Sequence, residues 1–261
     1  MRIFWQSFID ETASRPYMER LSAYLNRIAA ADTSVTVAGI SPPDRDFGRL
    51  SELRCAVLAI DNAIAAEEEG YDVCVIGHFQ DPGLYELRSA LRIPVIGVGE
   101  ATLFAAMQLG RQLGLVTLDP VFEVWHREQS ERYGISDRVR HIAGLACLPE
   151  DFSAAFAGDE TARQRMLADF TKCALPLVEQ GANVIVPAGV LPGLLIGGER
   201  GFKVGHAPVI NCASVGLKAA EMWGALYRID GIEPCRGRSF TLAPDRARED
   251  FKRLIRHGRD G

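Results

Sequence analysis

The sequence lacks the motifs that mark several common kinds of binding site. Its six cysteines form no C-x-x-C pair and no cluster with histidine, which argues against a disulfide framework and against a structural zinc site. Neither a complete G-x-G-x-x-G fingerprint nor a G-x-x-x-x-G-K-[ST] loop occurs, so nothing supports a dinucleotide or nucleotide phosphate site. We therefore expect neither a metal ion nor a cofactor.

Long apolar runs and basic clusters are equally scarce. No uninterrupted apolar stretch approaches the ~20 residues of a membrane helix, and the N-terminal MRIFWQSF is typical of a strand rather than a signal peptide. The net charge is -5, and no Lys/Arg run is flanked by aromatic residues that could stack on bases. The most basic stretch, residues 252–261, is interpreted as a solvated tail. We expect a cytoplasmic protein without membrane or nucleic-acid partners.

Short β-type apolar runs alternate with segments of helical period along the chain. This alternation is typical of βαβ units and a parallel sheet. The strands are predicted at Arg2–Ser7, Val35–Ile40, Val73–Gly77, Pro94–Val98, Leu113–Leu118, Val139–Ala143, Asn183–Pro187 and Pro208–Asn211. The helices are predicted at Tyr17–Ala30, Glu52–Glu69, Leu84–Leu91, Ala101–Leu109, Phe122–Tyr133, Thr161–Gln180 and Ser214–Tyr227.

An internal repeat indicates how these units are arranged. VIGHFQDPGL followed by PVIGVGEAT resembles VIVPAGVLPGL followed by PVINCASV, although chance similarity remains an alternative. The repeat predicts two similar parallel-sheet α/β half-domains related by a pseudo-two-fold axis. Because ligands bind at the carboxyl ends of parallel strands, we expect a ligand cleft between the two halves.

The loop after the strand VCVIG contains the first candidate for chemistry. His78 leaves this buried strand directly, and histidine is the side chain best suited to proton transfer near neutral pH. The alternative is that His78 only hydrogen-bonds backbone carbonyls. For Asp81 we favour a structural role, as the cap of the helix that follows Pro82.

GHFQDPGL, IPVIGVGEAT, LGLVTL, GANVIVPAG and PVINCASVGLKAAE together resemble the aspartate/glutamate/hydantoin racemase superfamily, and most closely its hydantoin racemase branch. The resemblance covers most of the chain. It implies two α/β half-domains with substrate between them, no cofactor, and two cysteines that remove and return a proton at a carbon next to a carbonyl.

The sequence departs from this pattern at both cysteines. His78 stands where the resemblance places the first, and Pro187, Ala188 and Gly189 surround the place of the second. A symmetrical two-thiol racemisation is therefore implausible. Cys74 lies inside a strand and is interpreted as a core residue, whereas Cys212 follows the PVIN strand and remains a less favoured candidate for the cleft.

His78 is thus the predicted catalytic acid/base. Substrate contacts are predicted from Gln6, Ser7, Phe79, Glu100, Thr117, Ala188, Gly189 and Val190. For Glu100 the alternative is a charge that interacts with the helix N-terminus, and for His126 packing is favoured over substrate contact. Gly97 and Gly99 are expected to allow close approach of the backbone to a ligand.

We expect residues 1–98 plus 212–261 to form the first half-domain and residues 99–211 the second, in a homo-oligomer. The predicted function is a cofactor-independent isomerase, of racemase type, acting at the α-carbon of a small carboxylate or cyclic amide. A lyase that protonates an enediolate after decarboxylation is one alternative. A non-catalytic protein that binds a small carboxylate is another, and chemistry that uses Cys212 is a third.

Overall fold

The computed structural model describes residues 1–42 and 47–259, in which strands and helices alternate. The strands are β1 (Arg2–Ser7), β2 (Ser34–Ala38), β3 (Val73–Gly77), β4 (Val95–Gly97), β5 (Leu113–Thr117), β6 (Val139–Gly144), β7 (Val184–Pro187), β8 (Lys203–Val204) and β9 (Ala207–Pro208). The helices are α1 (Arg15–Ile28), α2 (Arg49–Glu68), α3 (Leu84–Ala90), α4 (Val98–Ala106), α5 (Phe122–Arg132), α6 (Ser153–Phe156), α7 (Glu160–Glu179), α8 (Val190–Ile196), α9 (Cys212–Asp230) and α10 (Asp245–Arg259), with a 3₁₀ helix at Pro149–Phe152.

The strands form two parallel sheets of the same construction. The first has the order β2-β1-β3-β4 and the second the order β6-β5-β7. Val209 adds a parallel bridge to Ile185 of β7 at the place that β4 occupies in the first sheet, and β8 and β9 form a short antiparallel pair. The expected fold class, two similar parallel-sheet α/β halves, is confirmed.

The strand register makes the two halves comparable residue by residue. The pairing of each central strand with its neighbour begins at Ile3–Val73 in the first sheet and at Leu113–Val184 in the second. Counting along both strands from these pairs makes Ser7 equivalent to Thr117 and His78 equivalent to Gly189. Of the three residues around the expected place of the second cysteine, Gly189 is thus the one equivalent to His78.

The central strands are buried because helices cover both faces of each sheet. β3 and β5 are buried along their whole length, as parallel strands packed on both sides usually are. One hydrophobic cluster continues from the first half into the second, and a smaller one lies under α2 and α3. α9 packs on β3, β4 and α4, which supports the return of the C-terminal segment to the first half. The exact division of the chain stays a prediction.

None of the helices formed by residues 1–42 and 47–259 combines the length and the apolar character that crossing a bilayer requires.

Candidate active site

A cavity lies where the carboxyl ends of the two sheets face each other. The volume of this cavity is about 70 Å³, counted as the positions that the centre of a water molecule can occupy. Since roughly 10–15 Å³ on this measure holds one water molecule, it has room for a small ring or a few waters. Its lining is mostly apolar and comes from both halves: Phe8, Ile9, Tyr17, Phe47, Gly77, His78, Gln80, Thr117, Leu118, Phe122, Pro149, Ala188, Gly189, Val190 and Leu191.

His78 enters this cavity from the end of β3. Its ring stacks on Phe8, with centroids 4.7 Å apart and an interplanar angle of 15°. Nε2 lies 3.1 Å from Oε2 of Glu52 in hydrogen-bond geometry and 3.0 Å from Oε1. A carboxylate at Nε2 favours the neutral tautomer with its proton on that atom, which makes Nδ1 the basic nitrogen. Glu52 lies in the first turn of α2, and sequence reasoning did not single it out.

The second half presents no comparable group at the position equivalent to His78. Gly189 has an extended backbone, with φ 167°, and the neighbouring Ala188 and Val190 are apolar. Tyr17 also lines the cavity, but burial raises the pKa of its phenol well above the usual value. At neutral pH Tyr17 therefore donates a proton to a hydrogen bond and does not act as a base.

Thr117 is the first of three hydrogen-bonded side chains that extend away from the cavity. Thr117 Oγ1 lies 3.2 Å from His126 Nε2, and His126 Nδ1 lies 3.0 Å from Gln129 Oε1. Gln129 Nε2 in turn donates to the carbonyl oxygen of Phe79 at 2.5 Å. Burial lowers the pKa of His126 to about 4, so this imidazole is neutral near pH 7. We refer to Thr117, His126 and Gln129 below as the relay.

Asp81 has a structural position, but it caps a different helix from the one expected. Its side chain accepts the backbone N–H groups of Gly99 at 2.9 Å and Glu100 at 2.6 Å, at the start of α4 rather than α3, and the hydroxyl of Tyr133 at 2.7 Å. Burial raises the pKa of this carboxyl to about 7, against the effect of these three donors. Because Tyr133 directly follows α5, Asp81 connects the two halves behind the cavity.

Four of the residues predicted to contact substrate lie outside the cavity lining: Gln6, Ser7, Phe79 and Glu100. Gln6 is the clearest case. Its amide nitrogen donates to the carbonyls of Ser7, Ala38 and Gly39, and its oxygen accepts from Asn62. The amide nitrogen thus holds the β1–β2 edge, and the amide oxygen attaches α2 to it, so both ends of the Gln6 amide are used within the first half.

Glu100 also turns away from the cavity. It forms an ion pair with Arg88, whose Nη1 lies 3.0 Å from Oε1 and whose Nη2 contacts Oε2. Phe79 is fully buried against the ring of His126, with centroids 5.5 Å apart. Gly97 makes room for Asp81 rather than for a ligand, since a Cβ atom there would lie 2.6 Å from Asp81 Cγ.

Cys212 lies behind the loop that borders the cavity. Its thiol donates to the carbonyl oxygen of Gly189 at 3.2 Å, and the residue is fully buried. Burial raises the pKa of this thiol to about 12, so it is not a thiolate at neutral pH. Cys74 is fully buried inside β3, and burial raises the pKa of its thiol to about 12 as well.

Across residues 1–42 and 47–259, no three or more His, Cys, Asp or Glu side chains are grouped so that they could hold a metal ion.

Two similarly built parallel sheets, with a cavity between their carboxyl ends and a histidine side chain in it, define a class of two-lobed α/β proteins with a candidate site between the lobes. The family model described as Asp/Glu/Hydantoin racemase matches residues 8–220. The chain belongs to this family.

Two curated relatives are similar over part of the chain. A hydantoin racemase of Pseudomonas sp. (strain NS671) is 32% identical over 83 residues, which is 32% of this chain and 33% of the relative. A hydantoin racemase of Rhizobium meliloti is 29% identical over 162 residues, or 62% of this chain and 64% of the relative. The aligned parts thus span one third and just under two thirds of these relatives.

Solved structures resemble the chain along nearly its whole length. The allantoin racemase from Klebsiella pneumoniae has a TM-score of 0.71 at 24% identity, with 94% of each chain covered. The allantoin racemase from Pseudomonas fluorescens has a TM-score of 0.72 at 18% identity, covering 93% of this chain and 97% of that one. An arylmalonate decarboxylase has a TM-score of 0.51 at 14% identity, covering 93% and 100%. At these identities the likeness concerns the fold.

Proposed function

We propose that the protein is a cofactor-independent isomerase that moves a proton at the carbon adjacent to a carbonyl of a small carboxylate or cyclic amide, with His78 as acid/base. The observation that carries this proposal is the position of His78 in the cavity between the halves, with its Nε2 held by Glu52. The family and the names of the two curated relatives support the reaction class.

The chemical step needs one base and a stabilised enolate. Nδ1 of His78 takes the proton from the α-carbon, and the electron pair of the C–H bond moves onto the carbonyl oxygen. Glu52 stabilises the resulting imidazolium. Return of the proton to the same carbon restores the carbonyl, and inversion requires that it arrives on the opposite face, after reorientation of the intermediate or from solvent.

The glycine at position 189 favours a second candidate, a decarboxylase. Loss of CO₂ from an α-carboxylated substrate leaves the same enolate, which needs only one acid to protonate it. His78 is such an acid, and no titratable side chain stands at the equivalent position of the other half. The likeness of the fold to an arylmalonate decarboxylase is compatible with this candidate.

Deuterium exchange at the α-carbon tests the proposal directly. 5-Monosubstituted hydantoins and α-substituted carboxylates of similar size are incubated with enzyme in D₂O and followed by NMR, with the uncatalysed exchange subtracted. Removal of a positioned base costs about 10²-fold or more, so His78→Ala is expected to lose exchange by that factor and Glu52→Gln to lose less. His206→Ala, at an exposed histidine outside the cavity, serves as the matched control.

Equal exchange by wild type and His78→Ala contradicts the role of His78. Release of CO₂ from α-carboxylated substrates without exchange supports the lyase. Tight binding with neither reaction supports a binding protein.

A further inference from the structure

The carbonyl oxygen of the substrate gains negative charge in the proposed reaction, and the cavity has no cation to balance it among the lining residues that the structure describes. That lining includes no Lys or Arg, and Glu52 adds a negative charge beside His78. A charge that forms in an apolar site without a partner is costly, and a hydrogen-bond donor that is already in place lowers this cost. The enolate therefore needs a neutral donor in the lining.

Four side chains of the described lining can donate a hydrogen bond: Tyr17, His78, Gln80 and Thr117. His78 is the proposed base, and the hydroxyl of Thr117 is hydrogen-bonded to His126 within the relay. Tyr17 and Gln80 remain. The position of its hydroxyl favours Tyr17.

Tyr17 and His78 reach the cavity from opposite faces of the first sheet. Tyr17 lies in the first turn of α1 and belongs to the main hydrophobic cluster, together with Trp5 and Val75. His78 stacks on Phe8, which belongs to the smaller cluster under α2 and α3. A substrate at this end of the sheet thus has an imidazole on one side and a phenol on the other.

The hydroxyl of Tyr17 lies near both strand ends that border the cavity. Burial raises the pKa of the phenol most, a hydrogen bond with Ser7 lowers it, and the neighbouring Cys212 thiol raises it. Ser7 pairs with Gly77 at the end of β3, and Cys212 donates to the carbonyl oxygen of Gly189. Both glycines line the cavity. The phenol oxygen is therefore held between two parts of the lining that have no side chain.

The second half has no hydroxyl at the corresponding place. α1 and α5 each follow the central strand of their sheet, and each contributes an aromatic residue to the lining, Tyr17 and Phe122. Phe122 cannot donate a hydrogen bond. The proposed base and the donor thus both belong to the first half, as a reaction with a single base requires.

We propose that Tyr17 is a second catalytic residue, whose hydroxyl donates a hydrogen bond to the carbonyl oxygen of the substrate as this oxygen becomes an enolate. The inference rests on the proposed function in taking the cavity as the place where the enolate forms, and it applies to proton transfer and to loss of CO₂ alike. The transferred proton moves between the α-carbon and His78, and Tyr17 keeps its own hydrogen throughout. Ser7 is a positioning residue, because its hydroxyl can donate to the phenol oxygen and leave the phenol hydrogen for the substrate.

Tyr17→Phe is the first test, because it removes the hydroxyl and keeps the ring that packs against Phe156. Deuterium exchange is measured on 5-monosubstituted hydantoins and α-substituted carboxylates, and CO₂ release on α-carboxylated substrates. A donor that acts mainly on the enolate raises kcat without changing KM, so kcat is expected to fall about 10²-fold at nearly constant KM. Tyr24→Phe is the matched control, since it removes from the same helix a hydroxyl that is hydrogen-bonded to Ser214 outside the cavity. It should keep the wild-type rate.

A double-mutant cycle tests the role of Ser7. Ser7→Ala alone is expected to lower kcat about ten-fold, as loss of one hydrogen bond does. It should have no further effect in the Tyr17→Phe background, because a positioning residue acts only through the group that it holds. Additive losses would show that Ser7 acts independently of Tyr17.

The protonation state of Tyr17 is the third test, and it needs no substrate. In protein labelled with ¹³C at Cζ of tyrosine, the signal of Tyr17 is assigned by its loss in Tyr17→Phe. We expect it not to titrate up to about pH 10, where an exposed tyrosine is half ionised. A tyrosinate at neutral pH would make Tyr17 a base and overturn the proposal.

Unchanged kcat in Tyr17→Phe, or a loss that occurs in Gln80→Leu instead, also overturns the proposal. If Tyr17→Phe does not fold, the rate of Ser7→Ala decides, and a wild-type rate overturns the proposal. If His78→Ala keeps the activity and Tyr17→Phe loses it, the proposed function fails and the inference about Tyr17 stands. The reverse result leaves the proposed function and removes the inference, and a wild-type protein that catalyses neither reaction removes both.

Discussion

At the scale of single residues, the proposed chemistry depends on the contact between His78 and Glu52. The two side chains are 24% and 14% exposed, so water screens their interaction only in part. Glu52 comes from a helix 26 residues earlier in the chain and meets Nε2 with both carboxylate oxygens nearby. A carboxylate at Nε2 selects the tautomer of the neutral ring, with the proton on that atom.

His126 should make folding sensitive to acid. Its pKa is about 4 in the folded protein and 6.5 in an unfolded chain. A group whose pKa is lowered by folding contributes stability above pH 6.5 and loses it as the pH falls through 4. At 1.36 kcal/mol per pH unit, the free energy of unfolding should decrease by about 3 kcal/mol over this interval through His126. Urea titrations of wild type and His126→Gln at several pH values measure the difference in slope.

His126→Gln is expected to be less stable at pH 7 and to lose less stability toward pH 4. His206→Gln, at an exposed histidine, should follow the wild-type curve. Parallel curves for wild type and His126→Gln would show that His126 does not titrate as proposed.

At the scale of helices and strands, Asp81 decides where α4 begins. The sequence pattern predicts this helix at Ala101–Leu109, but it starts at Val98, immediately after β4. The Asp81 carboxylate accepts the N–H groups of Gly99 and Glu100, which are otherwise without partners in the first turn. A cap that comes from a loop 18 residues away leaves no local signal at the start of the helix.

The C-terminal helix packs on the first half through residues that precede 252–261, and the interpretation of that last stretch as a solvated tail stays a prediction. α10 lies against α2 and places Arg248 Nη1 2.9 Å from Glu67 Oε2. Phe251 packs against the smaller hydrophobic cluster. One ion pair and one aromatic side chain thus attach α10 to the first half.

Loss of the Arg248–Glu67 pair should loosen α10. Both side chains are only about one tenth exposed, so Arg248→Ala leaves a largely buried carboxylate without its cation. Glu67 keeps the backbone N–H groups of Arg92 and Ile93, and we therefore expect a loss of about 1–3 kcal/mol in the free energy of unfolding. Denaturant titration measures it, and Arg246→Ala, at an arginine 90% exposed, should change it little. Equal stability of the two variants would contradict the attachment of α10 through this pair.

The sequence predicts where the strands end, but it does not show which residues of the helices reach the candidate site. Alternation and the internal repeat predict where β3 and β7 end, and hence that His78 and Gly189 border one cavity. Tyr17 is placed in the cavity lining by α1, and Glu52 is placed against His78 by α2. No spacing in the sequence relates either residue to His78. The sequence also did not reveal that Glu100 pairs with Arg88 outside the cavity lining, because a turn from a strand into a helix looks the same in sequence whichever side of the sheet the side chain takes.

At the scale of the whole molecule, the two halves share one core and differ at their surfaces. The main hydrophobic cluster includes residues of both sheets, so the halves are unlike independently folding domains. An apolar groove between α4 and α9 leaves Phe104, Met222 and Trp223 between 41% and 51% exposed. The groove is compatible with the expected homo-oligomer, which stays a prediction, as does the division of the chain at residues 98 and 212.

The pseudo-two-fold arrangement makes the asymmetry between His78 and Gly189 testable. A Cβ atom at Gly189 would lie 3.2 Å from Pro192 Cδ and 4.0 Å from Leu118 Cδ1, so a small shift of the proline ring admits a side chain. The extended φ of 167° is open to any residue. Gly189→Cys therefore places a second proton-transfer group opposite the imidazole, and a proton removed by one group can be replaced by the other with inversion.

The measured quantity is the ratio of racemisation, followed by circular dichroism, to deuterium exchange at the same carbon, followed by NMR. With a single base the proton can return to the face it left, so exchange runs ahead of racemisation, whereas two opposed groups bring the ratio toward one. We expect Gly189→Cys to raise the ratio about ten-fold or more, since positioned acid–base groups contribute at least this much. Gly198→Cys, at an exposed glycine with open space around it, should not change the ratio. If both variants behave alike, position 189 does not face the reacting carbon, and the equivalence of the two strand ends does not extend to the chemistry.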